Sequence, residues 1–75
     1  MKELVEFMAR ALVDQAEAVQ VDEEWHGDRV IFHLEVAESD KGKVIGKQGR
    51  VAGAMRTLLK VAAVRDGARV NLDID

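Results

Sequence analysis

Two stretches of apolar–polar alternation, broken only by Ile31, constrain this chain more than any other feature. In residues 29–37, Val30, Phe32, Leu34 and Val36 alternate with Arg29, Ile31, His33 and Glu35. In residues 69–75, Val70, Leu72 and Ile74 point one way, and Arg69, Asn71, Asp73 and Asp75 the other. A period of two marks a strand with one buried face. The residues between read as helix, and a helix-containing crossover brings a chain back parallel to the strand it left. A further strand over 18–25 places Val19 and Val21 opposite Gln20 and Asp22, and His26, Gly27 and Asp28 supply a tight turn. That pair reads as an antiparallel hairpin.

The helices follow from a different period. Leu4, Val5, Met8, Ala11 and Leu12 share one face of a helix over 2–13, and Phe7 widens it. Ser39 and Asp40 stand where caps belong for a short helix at 40–45. Gly46 to Gly49 interrupts it, and a longer helix runs over 50–65 until Gly67 stops it. Val51, Met55, Leu58 and Ala62 form its central stripe, with Arg56 and Lys60 facing away. The expected architecture is α+β in the order αββααβ. Its three-stranded mixed sheet has one face covered by three helices and the other open to solvent.

Length and composition remove several function classes. Seventy-five residues hold one domain, expected over 1–75. A chain this short buries only roughly 60% of its unfolded surface. With no cysteine there is neither a disulfide staple nor thiol chemistry. The first residues lack a signal-peptide pattern, and no apolar run approaches the roughly 20 residues of a membrane span. The net charge of −3 hides a strong asymmetry. Residues 1–40 carry 3 basic and 11 acidic side chains. Residues 41–69 carry 8 basic ones (Lys41, Lys43, Lys47, Arg50, Arg56, Lys60, Arg65, Arg69) against the single acid Asp66. An acidic protein with one basic segment suits a local anionic partner.

Within that segment lies Lys43-Val44-Ile45-Gly46-Lys47-Gln48-Gly49-Arg50. Glycine lacks Cβ, so a sugar–phosphate backbone can approach the main chain. The first amides of the following helix are unpaired and favour an anion. Lys43, Lys47 and Arg50 add charge, while Val44 and Ile45 can anchor the loop and wall a groove. A Walker A loop needs four residues between its glycines and then Lys-Ser or Lys-Thr. Here Gly42 and Gly46 are separated by three, and Gln48 follows Lys47. A dinucleotide fingerprint would need glycine at Val44 and a strand just before it.

These residues resemble the KH domain, in its type II, bacterial form. Ile45-Gly46-Lys47-Gln48-Gly49-Arg50, followed by Ala54, Arg56 and Thr57, is similar to the small single-KH proteins of bacteria, the KhpA (YlqC) type. The resemblance covers residues 2–75; Gly53, inside a helix, departs from it. It implies a GxxG loop that clamps about four backbone nucleotides of single-stranded RNA. It also implies a cytoplasmic RNA chaperone without cofactor and a larger KhpB-like partner. The associated role is post-transcriptional regulation bearing on cell envelope and cell length. Lys43, Val44, Ile45, Gly46, Lys47, Gln48, Gly49 and Arg50 are the implied RNA-binding residues, with Val30 to Val36 as the sheet behind the groove.

Other residues carry less. His26 and His33 lack a metal-ligand spacing and read as surface histidines. No nucleophile or paired carboxylates suggest catalysis, so the chain reads as a non-enzyme. Trp25 is expected to close the core. Ala52, Leu59 and Ala63 form an apolar shoulder beside the central stripe, which points to a homodimer or heterodimer. The alternative reading is a protein-interaction or ribosome-assembly module.

Overall fold

The computed structural model describes residues 1–74, and for Lys47 the main chain only; the side chain of Lys47 and the expected outward position of Asp75 lie outside the described residues. Helix α1 spans Lys2–Leu12 and strand β1 Gln20–His26. A turn at residues 27–28 leads into β2, Arg29–Glu35. Helix α2 (Lys41–Ile45) and helix α3 (Arg50–Arg65) flank the glycine loop, and β3 is Arg69–Ile74. Short 3₁₀ turns at Ala16–Ala18, Glu38–Asp40 and Lys47–Gly49 complete the path.

The sheet order is β1-β2-β3. β1 pairs antiparallel with β2, Trp25 opposite Val30. β2 pairs parallel with β3, Val30 beside Val70 and Phe32 beside Leu72. The expected αββααβ order and mixed sheet are therefore present. Val30, Phe32 and Leu34 are completely or almost completely buried, because β2 is the central strand and the helices cover its inner face. Val5 and Ala9 of α1, Val44 of α2, and Met55 and Leu59 of α3 meet them.

Four details differ from the sequence expectations. The buried face of α3 is Ala52, Met55, Leu59 and Ala63, not Val51, Met55, Leu58 and Ala62. The helix is turned by roughly 75° at 100° per residue. So nearly continuous an apolar surface offers two overlapping arcs, and the contacts with β3 and α1 select between them. The shoulder assigned to an interface is thus core, while Leu58, Val61 and Val64 are exposed. On α1, Phe7, Ala11 and Leu12 stay at the surface, because Val5 and Ala9 already fill the seam. Trp25 is 49% exposed, since it sits on the edge strand β1 and outside the core cluster. Asp40 does not cap its own helix with its side chain; its bonds run elsewhere, as described below.

Candidate nucleic-acid interface

The glycine loop is built by backbone conformations that most side chains avoid. Gly46 ends α2 at φ 73°, ψ 175°, a region essentially reserved for glycine. A Cβ there would lie 2.5 Å from Val51 Cγ2 and 2.9 Å from the Val51 nitrogen. Gly46 is therefore also the point where the end of α2 presses on the start of α3. Gln48 and Gly49 are both left-handed, at φ 59° and φ 75°. Two such residues in a row turn the chain abruptly into α3. No side chain caps that helix, so its first amides are left for solvent or a ligand.

Beneath the loop, Val44 is completely buried and serves as its anchor. Ile45, at 42% exposed, is the member of the pair that offers apolar surface beside the glycines. Gln48 and Arg50 are exposed.

Lys43 is engaged within the chain. Its ammonium contacts the Asp14 carboxylate and lies 3.8 Å from Asp40 Oδ1. The hydrogen bond to Asp14 pushes its pKa up, so the charge is present but already partnered. The Asp14 position is itself fixed by Asp40, only 1% exposed. The Asp14 and Gln15 amides donate to the two Asp40 oxygens, at 3.2 and 3.0 Å. The Gln15 side-chain amide donates to Ser39 Oγ at 3.2 Å. This staple joins the α1–β1 connection to the start of α2, which carries the loop. Sequence reading placed Ser39 and Asp40 near a helix start but missed the partner, which lies 25 residues away.

The wall facing α3 is β3, not β2. A cleft of about 280 Å³ is lined by Arg56, Leu59 and Lys60 of α3 and by Val70, Asn71 and Leu72 of β3. β2 cannot serve, because strands cover both its edges and helices its inner face. β3 has a strand on one side only, and Arg56 Nη2 donates to the Leu72 carbonyl at 3.2 Å. The rotation of α3 that buries Leu59 also brings Arg56 and Lys60 to this cleft.

The open face of the sheet carries a cluster that spacing did not reveal. The Glu24 carboxylate contacts Nε2 of both His26 and His33, the latter at 3.3 Å, and Asp73 lies 3.6 Å from His33 Nδ1. Strand register assembles it, since His33 pairs with Asp22 on one side and Asp73 on the other. The hydrogen bond from His26, then that from His33, holds the Glu24 carboxyl below its ordinary value. Among the described residues no group of three or more such side chains has the geometry to hold a metal ion.

A crossover of a short and a long helix joined by a GxxG turn, set on a mixed sheet in αββααβ order, defines a type II KH domain. A solved structure shows the same fold. The crystal structure of Era in complex with MgGDPNP and nucleotides 1506–1542 of 16S ribosomal RNA matches 97% of this chain at TM-score 0.57 and 19% identity. That match occupies 28% of the Era chain. The family model "KhpA/KhpB, KH domain" matches residues 2–74, and this chain belongs to that family. The chain is similar to the RNA-binding protein KhpA of Clostridium perfringens, at 49% identity over 99% of both chains. The namesake of Caldanaerobacter subterraneus subsp. tengcongensis is 51% identical over the same shares. That of Chlamydia trachomatis is 43% identical over 99% of this chain and 95% of its own. The family is not enzymatic.

Proposed function

We propose that this protein binds single-stranded RNA by clamping the backbone on its glycine loop. One observation carries the reading: the uncapped start of α3, preceded by Gly46, Gln48 and Gly49 at positive φ, lies in the basic segment of an acidic chain. The names of its relatives and the RNA in the Era complex support it. Gly46, Lys47, Gln48 and Gly49 hold the phosphates and Arg50 adds charge. Ile45 and the α3–β3 cleft receive the bases, and Val44 anchors the loop from within. Lys43 contributes only after release from Asp14. The test replaces Lys47 and Gln48 with Asp. RNA affinity should fall at least tenfold, about 1.4 kcal/mol, at unchanged circular dichroism. Unchanged affinity in a folded variant would remove the loop from the mechanism.

The family resemblance further supports a cytoplasmic RNA chaperone working with a KhpB-like partner in post-transcriptional regulation of cell envelope and cell length. Deleting the gene should alter the distribution of cell lengths, and an unaltered distribution would refute that role. Association with such a partner or with a second copy is favoured by the exposed apolar seam between α1 and α3, formed by Phe7, Leu58 and Val61 with Met8 and Leu4 beside them. Val61→Asp should lower the sedimentation coefficient of the associated species without unfolding the domain. A monomer of 8.3 kDa at high concentration before any substitution would leave only the heterodimer.

A further inference from the structure

The basic segment is not neutralised evenly. Lys43 is paired with Asp14, and Lys41 with Glu38 at 2.9 Å. Among the described residues, Arg50, Arg56, Lys60, Arg65 and Arg69 of this segment take part in no ion pair, and neither does Arg29 of β2. Arg56, Lys60, Arg69 and Arg29 follow one another around the β3 side of the fold. β3 returns antiparallel to α3, so the cleft containing Arg56 and Lys60 continues toward the start of β3. There a second cleft of about 280 Å³, bounded by Lys60, Val64, Ala68 and Arg69, shares Lys60 and Val70 with the first. The two form one groove running from Arg56 and Leu72 to Arg69.

At its far end Arg69 stands in register with Arg29 of β2. Both are exposed, and both belong to the open face of the sheet. Like charges side by side on neighbouring strands cost stability. Among the described residues neither has an acidic partner to offset that cost. Farther along the same face the charge changes sign, through Glu24, Asp22 and Asp73. A polyanion leaving the groove is therefore attracted to the Arg29–Arg69 pair and repelled beyond it.

We propose that the Arg29–Arg69 pair is a second phosphate site, which extends the RNA track past the loop clamp, along the α3–β3 groove and onto the edge of the open sheet face. The inference rests on the RNA-binding reading above. It adds a binding site distant from the glycine loop and a footprint longer than the clamp alone provides. The pair faces solvent, so its contacts are electrostatic and independent of sequence.

The test compares two oligouridylates by fluorescence anisotropy. One has the clamp length of about four nucleotides; the other is twice as long. The unsubstituted protein should bind the longer one about three- to tenfold tighter than site counting predicts, as expected for two exposed charge contacts. Its salt slope should be steeper by about 1.4, roughly 0.7 for each added phosphate. In Arg29→Gln/Arg69→Gln both increments should vanish while binding of the shorter oligonucleotide persists. Removing two adjacent like charges should not unfold the sheet, and the single reversal Arg69→Glu provides a second reading. An equal gain in the variants overturns the extended track and leaves the pair to an acidic protein. No gain in the unsubstituted protein also overturns it. Failure of the general RNA reading looks different: neither oligonucleotide binds, and the Lys47/Gln48 variant equals the parent.

Discussion

Replacing Gly46 and Gly49 separately with alanine should give unequal results, although the motif presents them as a symmetrical pair. At Gly49 a new Cβ meets nothing within 4 Å, so only the left-handed φ of 75° opposes it. That conformation costs a non-glycine residue about 1–2 kcal/mol. At Gly46 two penalties combine. The φ 73°, ψ 175° conformation costs on the order of 1–3 kcal/mol. The new Cβ also overlaps Val51 Cγ2 at 2.5 Å and the Val51 nitrogen at 2.9 Å. The methyl can rotate away, but the nitrogen belongs to the first turn of α3 and moves only with the helix. Overpacking of this kind adds about 1–3 kcal/mol. Gly46→Ala should therefore cost about 2–6 kcal/mol, against a total stability of about 4–11 kcal/mol for a domain this size. Urea unfolding followed by circular dichroism measures both. Gly49→Ala should lower Tm by about 4–16 °C. Gly46→Ala should lower the urea midpoint by at least twice as much as Gly49→Ala, or leave the domain unfolded. Equal losses, or a Gly46→Ala variant within 1 kcal/mol of the parent, would refute the close approach between α2 and α3.

Two further outcomes follow from the polar groups. Asp40→Ala leaves the Asp14 and Gln15 amides without their acceptor and should cost about 2–4 kcal/mol by chemical denaturation; a loss below about 0.5 kcal/mol would dismiss the staple. The Glu24 carboxyl titrates below its ordinary value of 4.5 when folded. Its contribution is then present above that value and disappears as pH falls through the lower, folded one. Thermal melts toward acid should show a smaller loss for Glu24→Gln than for the parent, and parallel curves would mean that the histidine contacts do not persist in solution.

Much of this molecule is determined by local patterns. The alternation at Val30–Val36 and Val70–Ile74 specifies strands, their buried faces and, with a helical crossover, a parallel pair. The GxxG residues permit the turn, because glycine adopts the positive φ found at Gly46 and Gly49 at little cost, whereas nothing in the sequence marks Gln48 for the positive φ it also takes. What the tertiary structure decided are the relations between segments. A helical period reports angles between side chains on one helix and not which arc faces the sheet, so the choice of Leu59 over Leu58 came from the packing of α3 on β3. That same rotation placed Arg56 and Lys60 at a cleft instead of in open solvent. The pairing of Lys43 with Asp14 through Asp40 joins residues more than 20 positions apart, and no spacing rule reaches that far. Glu24, His33 and Asp73 meet only because three strands align in register, as do Arg29 and Arg69. Charge is written residue by residue in the sequence, but its neutralisation depends on which neighbours the fold supplies.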